Sequence, residues 1–386
     1  MIKVIKIGFL FPYSSIHPTM SRDTIDGFYS ALPKQYKGSF QFIPEYIDQG
    51  RKELIKVAIN KLITFHNVDI ISGFISYKSI PDILPVLQQR NKIGFFFDMG
   101  EYLPPVSTLP VNLFSNSFLY WQLEYALGNW SQATYNGKGA ILMSVYDAGY
   151  HMHSAFWQGA ISAGAQETDV HVIPYHPDLK SILPVLPSFF EKIEKSKVDY
   201  LHVLFCGNEA VDFYRAFKES QLYGRIPLIV SPHMACDEIL DKTGNQDIQC
   251  YSASGWNYNS TSIPNKSFKK TYESETGKKA GLFAVMGYES GLAFLSVLPE
   301  LLRNETEKVM SFFKNGIVSG PRGERNFYQG AKLNLPEIEI EKISIQKNNT
   351  LKIIIDQGKA MPYNDAVFNN IHNQCVSGWE NPYLCV

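Results

Sequence analysis

Short runs of Ile, Val and Phe alternate along this chain with longer amphipathic segments, and that rhythm constrains the fold more than any single motif. KVIKIGFLF precedes SRDTIDGFYSAL, FQFIPEYI precedes KELIKVAINKLITFH, and VDIISGF precedes SIPDILPVLQQRN and KIGFFFD. Apolar runs rich in β-branched and aromatic residues read as strands, and apolar residues recurring every three to four positions read as helices. Strands and helices in alternation predict α/β architecture with parallel sheets, because a parallel pair needs a long crossover, usually a helix. A first array ends near Asp98. After the Pro-rich EYLPPVSTLP and a short NLFSN crossing, the scheme restarts with the helix FLYWQLEYALGNWSQ. It continues through the strands GAILMSV, DVHVIPY, VDYLHVLF and IPLIVS.

The last third changes character. IQCYSASGW leads into two helical stretches, SFKKTYESETG and AGLFAVMGYESGLAFLSVLPELLRN. RNFYQ, EIEIEKISIQ and TLKIIIDQ then read as antiparallel strands, with KNNT as a turn. With 386 residues the chain exceeds the size at which one core keeps growing, so two domains are expected. The opening MIKVIKIGFLF looks briefly like a secretion signal. Lys6 interrupts its apolar core and no small-residue cleavage site follows, so it reads as the first strand of a mature or shortened form.

Composition removes several functions. The formal net charge is −1 and no Lys or Arg run occurs, so nucleic acid and acidic membranes gain little from this surface. No stretch approaches the roughly 20 apolar residues of a spanning helix. The five cysteines form no C-x-x-C and no zinc-finger spacing, so neither a metal nor a cofactor is expected. Two pairings are suggestive: Cys236 with Cys250, and Cys375 with Cys385, the second as a staple for an Asn- and Gly-rich tail with little apolar surface of its own. Four reduced thiols are the alternative.

Catalytic signatures are missing. ETGKKA lacks the leading Gly and the Ser or Thr of a phosphate-binding loop, GKGAIL precedes a strand instead of following one, and GFISY lacks the final Gly of a nucleophile elbow. The two imidazoles of HMH, at His151 and His153, diverge if they start a helix. The chain is not expected to be an enzyme.

Parallel α/β sheets place ligands beyond the carboxyl ends of their strands. That rule selects six loops: PYSSIHP with Tyr13 and Ser14, ISYKS with Ser76 and Tyr77, DMGEYLP with Gly100 and Glu101, YDAGYH with Tyr146 and Tyr150, CGNEA with Asn208, and SPHMACDE with His233. Tyr13, Tyr77, Tyr102, Tyr146, Tyr150 and Trp256 all fall in or near these loops, a concentration of rings that suits an apolar or aromatic ligand.

In this order along the chain, IKIGFLFPYSS, DGFYSAL, VDIISG, KGAILMSVYDAGY, GYESGLAFLSVL and SGPRGERNFYQ resemble the type I periplasmic solute-binding proteins, in particular the leucine/isoleucine/valine-binding proteins of ABC importers. The resemblance runs from about Lys3 to Phe327. It implies two Rossmann-like lobes joined by a three-stranded hinge, with a ligand cleft between them. Residues 1–115 and 256–325 would form the first lobe, 116–255 and 326–360 the second lobe and hinge, and 361–386 a tail. It implies a monomer outside the cytoplasm, in the periplasm or cell envelope. Such a protein binds an amino acid, amide or aromatic carboxylate and delivers it to the membrane subunits of an ABC importer. A ligand-sensing domain of the same fold is the alternative.

Carried over by position, Ser76, Tyr77, Gly100 and Glu101 occupy loops that grip a ligand carboxylate in amino-acid binders. Glu101 departs from the usual hydroxyl residue, and a charged carboxylate there would repel a ligand carboxylate. Tyr146 or Tyr150 would cover the ligand. His233 stands where amino-acid binders often place an acid; either it faces the ligand, accepting a hydrogen bond as a neutral imidazole, or it caps a helix or lies on the surface and touches nothing.

Overall fold

The computed structural model describes residues 3–104, 109–175, 181–244, 247–328, 334, 336–346, 349–374 and 379–385. One sheet is wholly parallel, formed by β1 (Ile5–Phe11), β2 (Phe40–Tyr46), β3 (Ile70–Phe74), β4 (Ile93–Asp98) and β5 (Leu113–Ser117) in the order β2-β1-β3-β4-β5. The other is built from β6 (Gly139–Ser144), β7 (Thr168–Ile173), β8 (Tyr200–Leu204), β9 (Leu228–Val230) and β10 (Ile248–Ser254). After a small hairpin of β11 (Val318–Gly320) and β12 (Gly323–Arg325), the strands β13 (Ile338–Gln346) and β14 (Asn349–Gly358) join that second sheet, in the order β14-β13-β10-β9-β8-β6-β7. β13 runs antiparallel to both β10 and β14, the arrangement expected for EIEIEKISIQ and TLKIIIDQ. The two sheets are the two lobes that the resemblance implies, built of the parallel strands that the alternating pattern predicts.

Central strands are buried on both faces because helices cover them. β3, β4, β5, β6 and β8 contain only buried residues, which is why they read as unbroken apolar runs. In each lobe two helices cross at a glycine pair. A Cβ on Gly287 would lie 1.9 Å from the Thr24 carbonyl oxygen, and one on Gly27 would lie 2.2 Å from that of Ala284, so helices 20–30 and 282–296 touch backbone to backbone. Gly128 and Gly159 do the same for helices 120–135 and 152–162, each 2.0 Å from a facing carbonyl oxygen.

Two sequence expectations need adjustment. The long helix expected after Ala280 breaks into Leu282–Ser296 and Leu298–Leu302, because Pro299 has no N–H for the Leu295 carbonyl and its ring crowds that group. RNFYQ is not one strand. Arg325 ends β12, and Phe327 instead accepts from the Ser115 N–H at 2.8 Å while its ring packs on Phe95.

The motifs GYESG and GPRG meet in the interior. Arg322 donates through Nε to both carboxylate oxygens of Glu289 at 3.1 Å, through Nη1 to the Ser117 carbonyl at 3.0 Å, and through Nη2 to Asn116 Oδ1 at 2.7 Å. Both side chains of the pair are at most 1% exposed. The fork saturates the carboxylate and ties helix 282–296 to the end of β5.

The expected Cys236–Cys250 bridge is not formed: both are free thiols, Cys250 buried in β10 and Cys236 at the start of helix Asp237–Thr243. Burial in apolar surroundings keeps the Cys250 thiol protonated, its pKa pushed up to about 12. Cys385 is a buried free thiol, and Cys375 lies outside the described residues. The tail also holds more apolar surface than its composition suggests. Phe368 and Ile371 of helix Asp365–Gln374 pack with Trp121 and Leu103, and Tyr383, Leu384 and Cys385 return to the molecule's centre.

Candidate functional site

The loops at the carboxyl ends of β1 and β4 in one lobe face those after β6, β8 and β9 in the other, as the strand polarity requires. Between them lies the chain's own segment 381–385. Tyr383 is fully buried there. Its ring stacks on Tyr146 with centroids 5.9 Å apart and planes 17° from parallel, and meets Tyr150, His233 and Tyr120 edge-on at 5.1, 5.9 and 6.1 Å. Its hydroxyl donates to Asp147 Oδ1 at 2.8 Å, and its N–H donates to Glu101 Oε1 at 3.2 Å.

Neighbouring atoms complete the enclosure. Ser14 Oγ donates to the Leu384 carbonyl and accepts the N–H of His17 at 2.9 Å. The Tyr150 hydroxyl donates to the Asn381 carbonyl at 3.2 Å, and Asn381 Nδ2 donates to the Cys385 carbonyl at 2.7 Å. Five of the residues selected from sequence, Ser14, Glu101, Tyr146, Tyr150 and His233, therefore converge on one small volume. Tyr146 and Tyr150 each face this volume, and His233 is buried beside it.

The acids of this volume are buried, and that shifts their titration. Burial pushes the Asp147 pKa up to about 7, against the opposing bonds from Ser144 and Tyr383. Asp98 and Glu101 are both pushed up, first by burial, and Glu101 further by the charge of Asp98. A proton on Glu101 removes the repulsion that a charged carboxylate would direct at an anionic ligand. Burial also pushes His233 well below its ordinary value, so its imidazole is neutral. Gly207 N–H donates to His233 Nε2 at 3.3 Å, which assigns the ring proton to Nδ1.

Beside Tyr383 a cavity of about 450 Å³ remains open, lined by Ser15, Ser144, Tyr146, Glu209 and Trp379 and by Asn208 at the start of helix Asn208–Glu219. The other selected residues take different positions. Tyr13 is 58% exposed and donates its N–H to the Asp48 carbonyl. Ser76 is buried and accepts from the Lys78 N–H. Tyr77 shares a 3.0 Å hydrogen bond with Ser115. Gly100 has φ of 75° and sits so close to Leu119 that a Cβ would come within 2.4 Å of its Cα. It shapes the loop that carries Glu101. Trp256 packs on Phe268, away from the central rings.

Sequence reasoning passed over Asp147, Tyr120 and Tyr383. Asp147 lies inside YDAGY, so the strand-end rule pointed at its loop though not at its carboxylate. Nothing local marks Tyr383, which enters the site across more than 230 residues of chain separation from its Asp147 partner.

His17, His233 and Cys236 also come together, with ligand atoms within 4.8 Å of one another, the one such trio found among the described residues. The Gly207 bond to His233 and the half-buried Cys236 thiol, whose pKa is pushed up by desolvation, both oppose metal coordination.

A sequence profile of the periplasmic binding protein family matches residues 4–334. No protein of curated function matches the chain in a sequence search. Among solved structures, an ABC transporter substrate-binding protein from Sphaerobacter thermophilus superposes with a TM-score of 0.76 at 20% identity, covering 93% of this chain and 98% of that one. A solute-binding protein of an ABC transporter from Rhodopseudomonas palustris HaA2, in complex with p-hydroxybenzoic acid, gives 0.74 at 16% identity, with coverage of 93% and 98%. The leucine-binding protein LivK of Thermotoga maritima gives 0.68 at 13%, with coverage of 91% and 98%. With most of its length matched by the family profile and its two sheets arranged as in these structures, the chain belongs to the periplasmic binding protein family and has its two-lobed type I fold.

Proposed function

We propose that this protein binds a small aromatic solute between its lobes and presents it to the membrane subunits of an ABC importer, without chemistry on the solute. The observation that carries this reading is the ring-lined volume around Tyr383, where Tyr146 offers a face and Tyr150, His233 and Tyr120 offer edges to one planar group. Such an enclosure rewards a flat ring with stacking and edge contacts worth about 0.5–1.5 kcal/mol per pair beyond area burial. Two polar ends are provided, Asp147 at one and the loop of Glu101 at the other. The structural relatives support it, since Rhodopseudomonas palustris proteins of this fold hold benzoate and p-hydroxybenzoic acid.

Loops from both lobes contribute to the enclosure, so a bound solute would bridge them and favour the closed arrangement. We take the lobes as residues 1–115 with 256–325, and 116–255 with 326–360, working as a monomer in the periplasm or cell envelope. Among the described residues no helix is long and apolar enough to cross a membrane.

A melting-temperature screen of aromatic acids, aliphatic amino acids and amides tests the reading. Aromatic acids should raise the melting temperature, and Tyr146→Ala should weaken the best of them about tenfold, as loss of a stacked face and its buried area implies. Stabilisation by leucine or isoleucine with no response to any aromatic compound would overturn it.

A further inference from the structure

Segment 381–385 meets the cleft as a solute would. Glu380 and Trp379 are exposed, yet from Pro382 to Cys385 every residue is buried. The segment is gripped from both lobes, by Ser14 and Glu101 on one side and by Tyr146, Asp147 and Tyr150 on the other. Pro382 fits against Gly50, where a Cβ would come within 2.4 Å of its Cδ.

Two features separate this from the ordinary docking of a chain segment. Pro382 to Cys385 form a tight turn, with the Cys385 N–H donating to the Pro382 carbonyl at 3.1 Å and Leu384 at φ 75° in its third position. In a left-handed leucine the Cβ crowds the backbone, so the cleft contacts hold the segment in a shape it would not favour alone. Moreover, the groups that grip it stand at strand carboxyl ends, where this architecture places ligands. The open cavity of about 450 Å³ is lined by Tyr146, the residue whose ring stacks on Tyr383, so the two volumes meet at Tyr146.

We infer that residues 381–385 are a resident occupant of the solute cleft, which a solute carrying a phenol displaces by taking the place of Tyr383 between Tyr146 and Asp147. This rests on the aromatic-solute reading and adds its selectivity and its regulation. A tethered occupant competes at an effective concentration on the order of millimolar. The apparent affinity for solute falls by the fraction of time the cleft stands vacated, so the segment sets a concentration threshold below which the protein stays closed on itself. A phenol replaces the hydrogen bond to Asp147; a plain phenyl ring leaves that carboxyl unpaired and competes less well.

The test compares the full chain with Tyr383→Ala, both titrated calorimetrically with 4-hydroxyphenylacetate and phenylacetate. Cys385, buried in the displaced segment, reports its release through iodoacetamide labelling read by peptide mass. Tyr383→Ala should bind 4-hydroxyphenylacetate at least about tenfold tighter than the full chain does, matching a cleft vacated a tenth of the time or less. In the full chain the phenol should speed Cys385 labelling, and phenylacetate should do so less. Equal affinities with unchanged labelling would overturn the proposal while leaving the solute reading intact.

If neither compound binds either protein, the hexapeptide Asn-Pro-Tyr-Leu-Cys-Val separates the two readings. Its binding to Tyr383→Ala but not to the full chain supports the resident occupant without the aromatic solute. Binding to both or to neither rejects it. Unchanged far-ultraviolet circular dichroism of Tyr383→Ala shows that the variant folds, and if it does not fold, Tyr383→Phe takes its place with the same expected ordering.

Discussion

The Tyr383 hydroxyl donates to Asp147 Oδ1 at 2.8 Å, and neither residue has exposed surface. A carboxyl so placed loses the water that would solvate its charge, and its pKa rises to about 7. The hydrogen bonds of Tyr383 and Ser144 offset only part of that loss.

Stability should therefore fall as pH rises through neutrality. The folded protein binds a proton at Asp147 that the unfolded chain, titrating near 3.8, has released, so the penalty is absent below about pH 4 and full above about pH 7. Raised Glu101 and Asp98 act with the same sign. The buried histidines His17, His151 and His233 are held below 6.5 and act oppositely, since unfolding lets them take up protons, but only under about pH 6.5. Thermal melts should thus show stability falling from pH 6.5 to about pH 8, through Asp147 up to about pH 7 and, beyond it, through Glu101, whose pKa is raised to about 8. Asp147→Asn, which keeps an acceptor for Tyr383, should flatten the fall below about pH 7 and leave the Glu101 part above it, and an unchanged slope below pH 7 would count against the buried-acid account.

Arg322→Ala leaves the Glu289 carboxylate buried without its fork. Breaking a buried pair on one side costs about 3–5 kcal/mol, and urea denaturation should show a loss of that order. Arg322→Lys should recover only part of it, because an ammonium cannot reach Glu289, Asn116 and Ser117 together. A loss under about 1 kcal/mol for the alanine variant would contradict the assigned role.

Gly287→Ala and Gly159→Ala each place a methyl group within about 2 Å of a facing carbonyl oxygen. Helix propensity alone favours alanine over glycine by about 1 kcal/mol. Both variants should nevertheless melt lower than the unaltered protein, since the helices must separate to make room. Gly281→Ala, which meets nothing within 4 Å, serves as the control and should melt within a few degrees of it.

Thiol labelling checks the cysteines. Cys206 and Cys250 are buried free thiols with raised pKa values, so iodoacetamide at pH 8 should modify them slowly in the native protein and completely in denaturant without reductant. A mass consistent with a Cys236–Cys250 bridge would contradict the structure.

Periodicity alone determined a good deal of this protein. Runs such as IISGF and GAILMS are long enough for a strand and apolar on both faces, and only crossover helices can cover both faces of such a strand. Strand polarity then placed Ser14, Glu101, Tyr146, Tyr150 and His233 at one end of two sheets, which is why loops without any catalytic motif were still legible as a site. Glycine in GYESG and DGFYSAL was visible, but the backbone contact between them was not, because it depends on how two distant helices cross.

What only the tertiary structure decided is what fills that site and how its charges stand. Asp147 and Glu101 are ordinary acids in sequence, and their protonation follows from burial by loops remote in the chain. The meeting of Glu289 with Arg322 likewise needed the packed helix and hairpin. Tyr383 lies in ENPYLCV, a stretch too short to show a periodicity, so no local pattern could mark it; its place beside Tyr146 and Asp147, with Ser14 and Glu101 of the other lobe holding its neighbours and its N–H, depends on both lobes being assembled around it.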